Sequence, residues 1–268
     1  MLIKNAIILL LLLNLVGCGG GGGGVQPTIY PVVSLSTSHA SVTENSGTTV
    51  TLTVTASKIS DEDITVTLST SGTATDGTDY SAVNGSSLTI TAGTTTAIKT
   101  FTITDNSIYE GNETVIVAIS TVSGGSATEN GTQIETITIT ENESAPVITL
   151  ATSHTTVAEN SGITITLTAT SSQVADEDVV VTLASSGTAT NGTDYSSLGG
   201  STITIAAGAT TGTITGTPTD DSIYEDDEVA TIAISFVSGG GATESGTQSV
   251  SITITENESA PIVTLTAS

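Results

Sequence analysis

Residues 104–113, TDNSIYEGNE, return at 219–228 as TDDSIYEDDE, 115 positions later. Carboxylates crowded into one turn repel unless a cation lies between them. Acidic residues also mark other turns at matching positions. The first set is Glu44, Asp79, Asp105, Glu110, Glu113, Glu141 and Glu143. The second is Glu159, Asp194, Asp220, Asp221, Glu225, Glu228, Glu256 and Glu258. An all-oxygen donor set without histidine or cysteine suits Ca²⁺ rather than Zn²⁺ or Cu²⁺. Mg²⁺ suits it less well, because that ion keeps its waters.

Catalysis has little support. The two histidines, His39 and His154, each precede a Glu by five residues near the end of a strand pattern, where they read as polar caps. No GxSxG or HExxH occurs. A carboxylate pair could hydrolyse glycosides, but sugar sites need aromatic platforms and the chain has no tryptophan. A carbohydrate-active enzyme is therefore the remote alternative.

The acidic turns need a frame, and the chain is a repeat. Glu44 and Glu159, the DED triplets at Asp61 and Asp176, and GTDY at Gly77 and Gly192 share the 115-residue offset. Repeat one is expected over 31–145 and repeat two over 146–260. PIVTLTAS at 261–268 matches the start of repeat two and reads as the first strand of a truncated third repeat, or as a strand capping the second. Within a repeat, apolar residues alternate with threonine: Val50, Leu52, Val54; Ile64, Val66, Leu68; Val115, Val117, Ile119. Shorter runs surround Val33, Leu88, Phe101 and Ile137. About seven strands per hundred residues predict an all-β chain of tandem immunoglobulin-like Greek-key β-sandwiches. In repeat two, Gly216 and Pro218 replace Phe101 and Ile103. Proline cannot donate to a ladder, so this strand should lie at a sheet edge or break early, over a looser core than that of repeat one. The DED triplets read as solvated loops, and Glu129, Glu135 and Glu244 as surface charge. Asp76 becomes Asn191, so it is not a required ligand. Tyr80, Tyr109, Tyr195 and Tyr224 read as packing and corner residues.

The N-terminus carries a different signal. Lys4 precedes an apolar stretch too short to span a bilayer. Leu15-Val16-Gly17-Cys18 resembles the bacterial lipobox, which implies a signal peptide over 1–17 and lipidation of Cys18, the only cysteine. The glycines that follow, within 18–30, read as a flexible tether. The resemblance points to a bacterial cell-envelope lipoprotein, sorted to the outer membrane. After cleavage only Lys58 and Lys99 oppose 27 acidic residues, which excludes a nucleic-acid partner.

Glu-Asn, GTA-x-x-GTDY, (D/N)-S-I-Y-E-x-x-E and T-I-T-E-x-E, in that order and twice over, resemble the Calx-beta motif. The resemblance implies Ca²⁺ in loops at one end of each sandwich. Carried over, the ligands are Glu44, Asp79, Asp105, Asn106, Glu110, Glu141 and Glu143 in repeat one. In repeat two they are Glu159, Asp194, Asp220, Asp221, Glu225, Glu256 and Glu258. Asn106 stands where the family often has aspartate, and Glu-Asn-Glu replaces consecutive aspartates. These departures predict fewer or weaker ions than in the calcium-binding domains of sodium/calcium exchangers, which carry the same motif, with affinity near ~10⁻⁴–10⁻³ M. Asp221 should make the second site the tighter one unless Pro218 distorts it. The expected role is an adhesion or display stalk, lipid-anchored in the membrane, whose joints Ca²⁺ stiffens and whose partner is a cell-surface protein or glycan. A Ca²⁺-independent spacer carrying a downstream module is the alternative.

Overall fold

In the computed structural model, residues 29–196, 198 and 201–267 are described. The signal segment, Cys18 and the glycine run lie outside them. No helix among the described residues is long and apolar enough to cross a membrane.

Each repeat is a β-sandwich of one four-stranded and one five-stranded sheet. Repeat one contains β1 (Val32–Thr37), β2 (Ser41–Thr43), β3 (Thr49–Ala56), β4 (Ile64–Gly72) and β5 (Ser87–Ile90). It continues with β6 (Thr96–Thr102), β7 (Glu113–Ser123), β8 (Thr128–Glu129) and β9 (Ile134–Thr140). Repeat two has β10 (Val147–Thr152), β11 (Thr156–Ala158), β12 (Ile165–Ser171), β13 (Val179–Gly187) and β14 (Thr202–Ile205). Then come β15 (Thr211–Gly216), β16 (Glu228–Ser238), β17 (Thr243–Glu244) and β18 (Ser249–Thr255). The sheets of repeat one run β6-β3-β1-β8 and β2-β9-β7-β4-β5, and repeat two copies both orders.

The seven runs of alternating residues are all strands. β2 and β8 join them as short parallel partners of β9 and β1. Two or three residues are too few to show a period of two, so these strands left no pattern in the sequence. The alternation places Val50, Leu52, Val54, Ile64, Val66, Val115, Val117 and Ile137 inside, each fully buried. The intervening threonines face outward, as a half-wet antiparallel sheet requires. Burying a side chain of this size contributes about 1.5–3 kcal/mol. Tyr80 and Phe101 pack at 5.6 Å between ring centroids, tilted by 59°. Where β4 meets β7, Gly72 (φ +117°) lets the backbones approach; a Cβ there would lie 2.1 Å from the Thr114 carbonyl oxygen.

β15 is indeed an edge strand, and it stops at Gly216. The core beneath it is nevertheless filled. A Cβ on Gly216 would sit 2.7 Å from Cγ of Leu198, which is fully buried. Leu198 replaces Val83 of repeat one, so a larger loop residue takes the space that Phe101 fills there. Pro218 is buried beside Tyr195 in an isolated bridge. Residues 261–267 are exposed and form no strand.

Candidate metal centre

One end of each sandwich collects the acidic turns. Glu44 opens a 3-10 turn, Glu44–Ser46, that Gly47 closes in the left-handed conformation (φ +63°). The turn folds the side chain inward, and Glu44 is only 4% exposed. Glu141 and Glu143 follow β9, which runs beside β2 and so reaches the same end. One carboxylate oxygen from each of Glu44, Glu141 and Glu143 lies within 4.8 Å of the others. Burial, then the charges of Glu141, Glu110, Glu143 and Asp105, push Glu44 up to about 7.

Glu141 is held differently. Its Oε2 accepts the amides of Glu110 (2.6 Å) and Gly111 (2.8 Å). Its Oε1 accepts those of Asn142 (2.8 Å) and Glu143 (3.0 Å). Burial opposes ionisation, yet these amides outweigh it and hold the carboxyl below its usual range. Glu143 Oε1 accepts the Asn142 side-chain amide at 2.9 Å, while Oε2 is buried and meets no donor among the described residues.

A second trio, Asp79, Glu110 and Glu113, also lies within 4.8 Å. Asp79 is 6% exposed, and its Oδ2 accepts the Thr75 amide at 2.6 Å. Burial, then the Asp79 and Glu110 charges, push Glu113 up to about 7. Asn106 braces this trio: its amide donates to Glu110 at 3.1 Å and its Oδ1 accepts the Ile108 amide at 2.6 Å. The carbonyl expected to face an ion is thus engaged elsewhere. Asp105 is exposed and joins neither trio, although its charge reaches Glu44 and Glu143.

Repeat two rebuilds both. Glu159 (7% exposed), Glu256 and Glu258 form one trio, and Asp194, Glu225 and Glu228 the other. The amides of Glu225, then Glu258, lower Glu256 to about 2, while its carboxylate raises Glu258 to about 6. Glu258 Oε2, like Glu143 Oε2, is buried and meets no donor among the described residues. Burial and the Asp194 carboxylate raise Glu228 to about 7. Asp221 adds a third grouping with Glu159 and Glu225, while Asp220 is exposed and joins none.

The Calx-beta domain profile matches residues 27–143 and again 141–258. The chain belongs to the Calx-beta family. No curated protein matches it. Among solved structures, this Calx-beta chain is similar to CBD12 from CALX1.2, at 17% identity over 84% of this chain and 100% of that one, with a TM-score of 0.38. The calcium binding domain CBD12 of CALX1.1 is also 17% identical, over 74% and 78%, at 0.35. The Yersinia pseudotuberculosis adhesin InvE is 14% identical, over 88% and 61%, at 0.35. Glu113 and Glu228 belong to the Calx-beta acidic turns but were not carried over as ligands. Their signal was the closing E of SIYE-x-x-E, one strand-start beyond the turn.

Proposed function

We propose that this chain is a calcium-binding structural or adhesion module of the bacterial cell envelope, anchored through a lipid on Cys18. One observation carries the metal reading: a buried carboxylate oxygen that meets no donor among the described residues, on Glu143 and again on Glu258, beside the buried Glu44 and Glu159. A buried charge needs a partner. The donors are carboxylates, and only two lysines remain after the signal peptide. This donor chemistry fits Ca²⁺. Glu44, Glu141 and Glu143 would hold one ion, and Asp79, Glu110 and Glu113 another. In repeat two, Glu159, Glu256 and Glu258 would hold one, and Asp194, Glu225 and Glu228 another, with Asp221 supplying further charge. Bound Ca²⁺ would neutralise the end of repeat one from which the chain passes, through Glu143, to Pro146 and the next repeat. That neutralisation would stiffen the joint and favour an extended stalk, whose partner would be a cell-surface protein or glycan.

Calorimetric titration with Ca²⁺, paired with melting in Ca²⁺ and in EDTA, tests the reading. Binding heat and a raised Tm at millimolar Ca²⁺ are expected. No heat and no shift would overturn it.

A further inference from the structure

We propose that Tyr109 and Gly241 are a matched pair that fixes the orientation of the second repeat on the first. Tyr109 sits at the tip of the repeat-one acidic turn but makes its backbone contacts with repeat two. Its amide donates to the Val174 carbonyl at 2.8 Å, and its carbonyl accepts the Asp176 amide at 3.3 Å. Tyr109 and Ala175 thereby form a β-bridge across the joint. The phenol ring sits against Gly241. A Cβ at that glycine would come within 2.6 Å of ring carbon Cε1 and 2.8 Å of the phenolic oxygen. Gly241 is needed for space as well as for its positive φ of 60°.

The corresponding position in repeat one is Ser126, at φ 54°. The backbone is the same, but serine carries the Cβ that a seated tyrosine ring excludes. Beside it lies a cavity of about 250 Å³, lined by Tyr30, Ile59, Gly125 and Ser126 among others. The fit is therefore directional, from the tip of repeat one to the face of repeat two. It is made of backbone hydrogen bonds and ring contact, so it needs no cation to form. The same contact places Asp176, in a triplet that reads as plain solvated charge, near Glu110 and Glu113, where its charge disfavours their ionisation.

The test uses the full chain with Cys18→Ser and spin labels at Thr100→Cys and Thr215→Cys, both exposed on edge strands. The distance distribution is recorded in EDTA and in Ca²⁺. The parent should give one narrow distribution in both. Gly241→Ser and Tyr109→Ala should each broaden it at least about twofold in both media, while the melting of each repeat stays unchanged. Tyr224→Ala, at the matching tip of repeat two, should leave it narrow. Ser126 shows that the fold accepts serine at this backbone conformation; if Gly241→Ser nevertheless unfolds repeat two, Tyr109→Ala decides. An unchanged distribution in the variants overturns the pairing. So does a parent distribution that is broad in EDTA and narrows only with Ca²⁺. Absence of Ca²⁺ binding heat with a narrow parent distribution would overturn the metal reading and leave this pairing standing.

Discussion

Glu44→Gln should stabilise the cation-free protein at pH 8, although the residue is buried. Glu44 has a folded-state pKa of about 7 against an ordinary value of 4.5. Between those values the native state holds a proton that the unfolded state has lost, so stability falls as pH rises from about 4.5 to about 7. At 1.36 kcal/mol per pH unit the full penalty is about 3 kcal/mol, expressed above pH 7. Glutamine keeps the shape and removes the charge. In place of a repelled carboxylate it offers an amide that can donate to Glu141 or Glu143. For a domain of this size the gain in EDTA corresponds to roughly 10 °C in Tm of repeat one. At pH 5 the wild-type carboxyl is already protonated, and the two proteins should melt together. Saturating Ca²⁺ should reverse the order at pH 8, because the variant has lost a donor. Differential scanning calorimetry at pH 5 and pH 8, with EDTA and with Ca²⁺, reads all four conditions. If Glu44→Gln lowers Tm in EDTA equally at both pH values, the carboxylate is a packing group rather than an unneutralised charge, and the reasoning fails.

Glu113 and Glu228, each raised to about 7, should deepen the same pH effect in the wild type. Glu141 and Glu256 are lowered and act oppositely, stabilising above their ordinary range and losing that contribution in acid. Cation-free melting should therefore peak near pH 5 and fall toward pH 8, and Ca²⁺ should flatten the fall. Asp221→Asn should weaken calorimetric Ca²⁺ binding to repeat two toward that of repeat one, since it makes the residue match Asn106. Leu198→Ala should destabilise repeat two by about 2–5 kcal/mol in denaturant unfolding, because it empties the fully buried space that this side chain fills beside Gly216. Gly72→Ala should destabilise repeat one by several kcal/mol in the same assay, since its Cβ would strike the Thr114 carbonyl.

The sandwich was readable because one face of every long strand is apolar and the other is threonine; Val50–Leu52–Val54 and Val115–Val117–Ile119 need no further context. The 115-residue offset likewise brought most of the acidic turns into correspondence. What escaped the sequence depends on distance. Leu198 compensates for Gly216 from a loop eighteen positions away, and a lost Phe by itself reads as a weakened core. Glu113 and Glu228 read as part of the acidic turns, but each begins a strand, and the resemblance does not name them as ligands. Tyr109 reads like Tyr80 and like its counterpart Tyr224, yet Tyr80 is buried, Tyr224 is more than a third exposed, and Tyr109 packs on the other repeat. Expecting Tyr224 to pack as a corner residue was therefore wrong. Asn106 was expected to lend an oxygen, but a side chain that can both donate and accept braces its own turn first.

The short parallel pair of β2 with β9 bears on how a repeat carries load. β2 lies near the point where the chain enters the sandwich, and β9 is the strand from which it leaves. Because they run in the same direction, tension on the two ends slides one strand along the other. The paired residues Ser41–Thr138, Val42–Ile139 and Thr43–Thr140 are then strained together instead of peeling one after another. Glu44 and Glu141 stand immediately beyond this pair, so whatever binds the two carboxylates also fastens the seam through which a pull would have to pass.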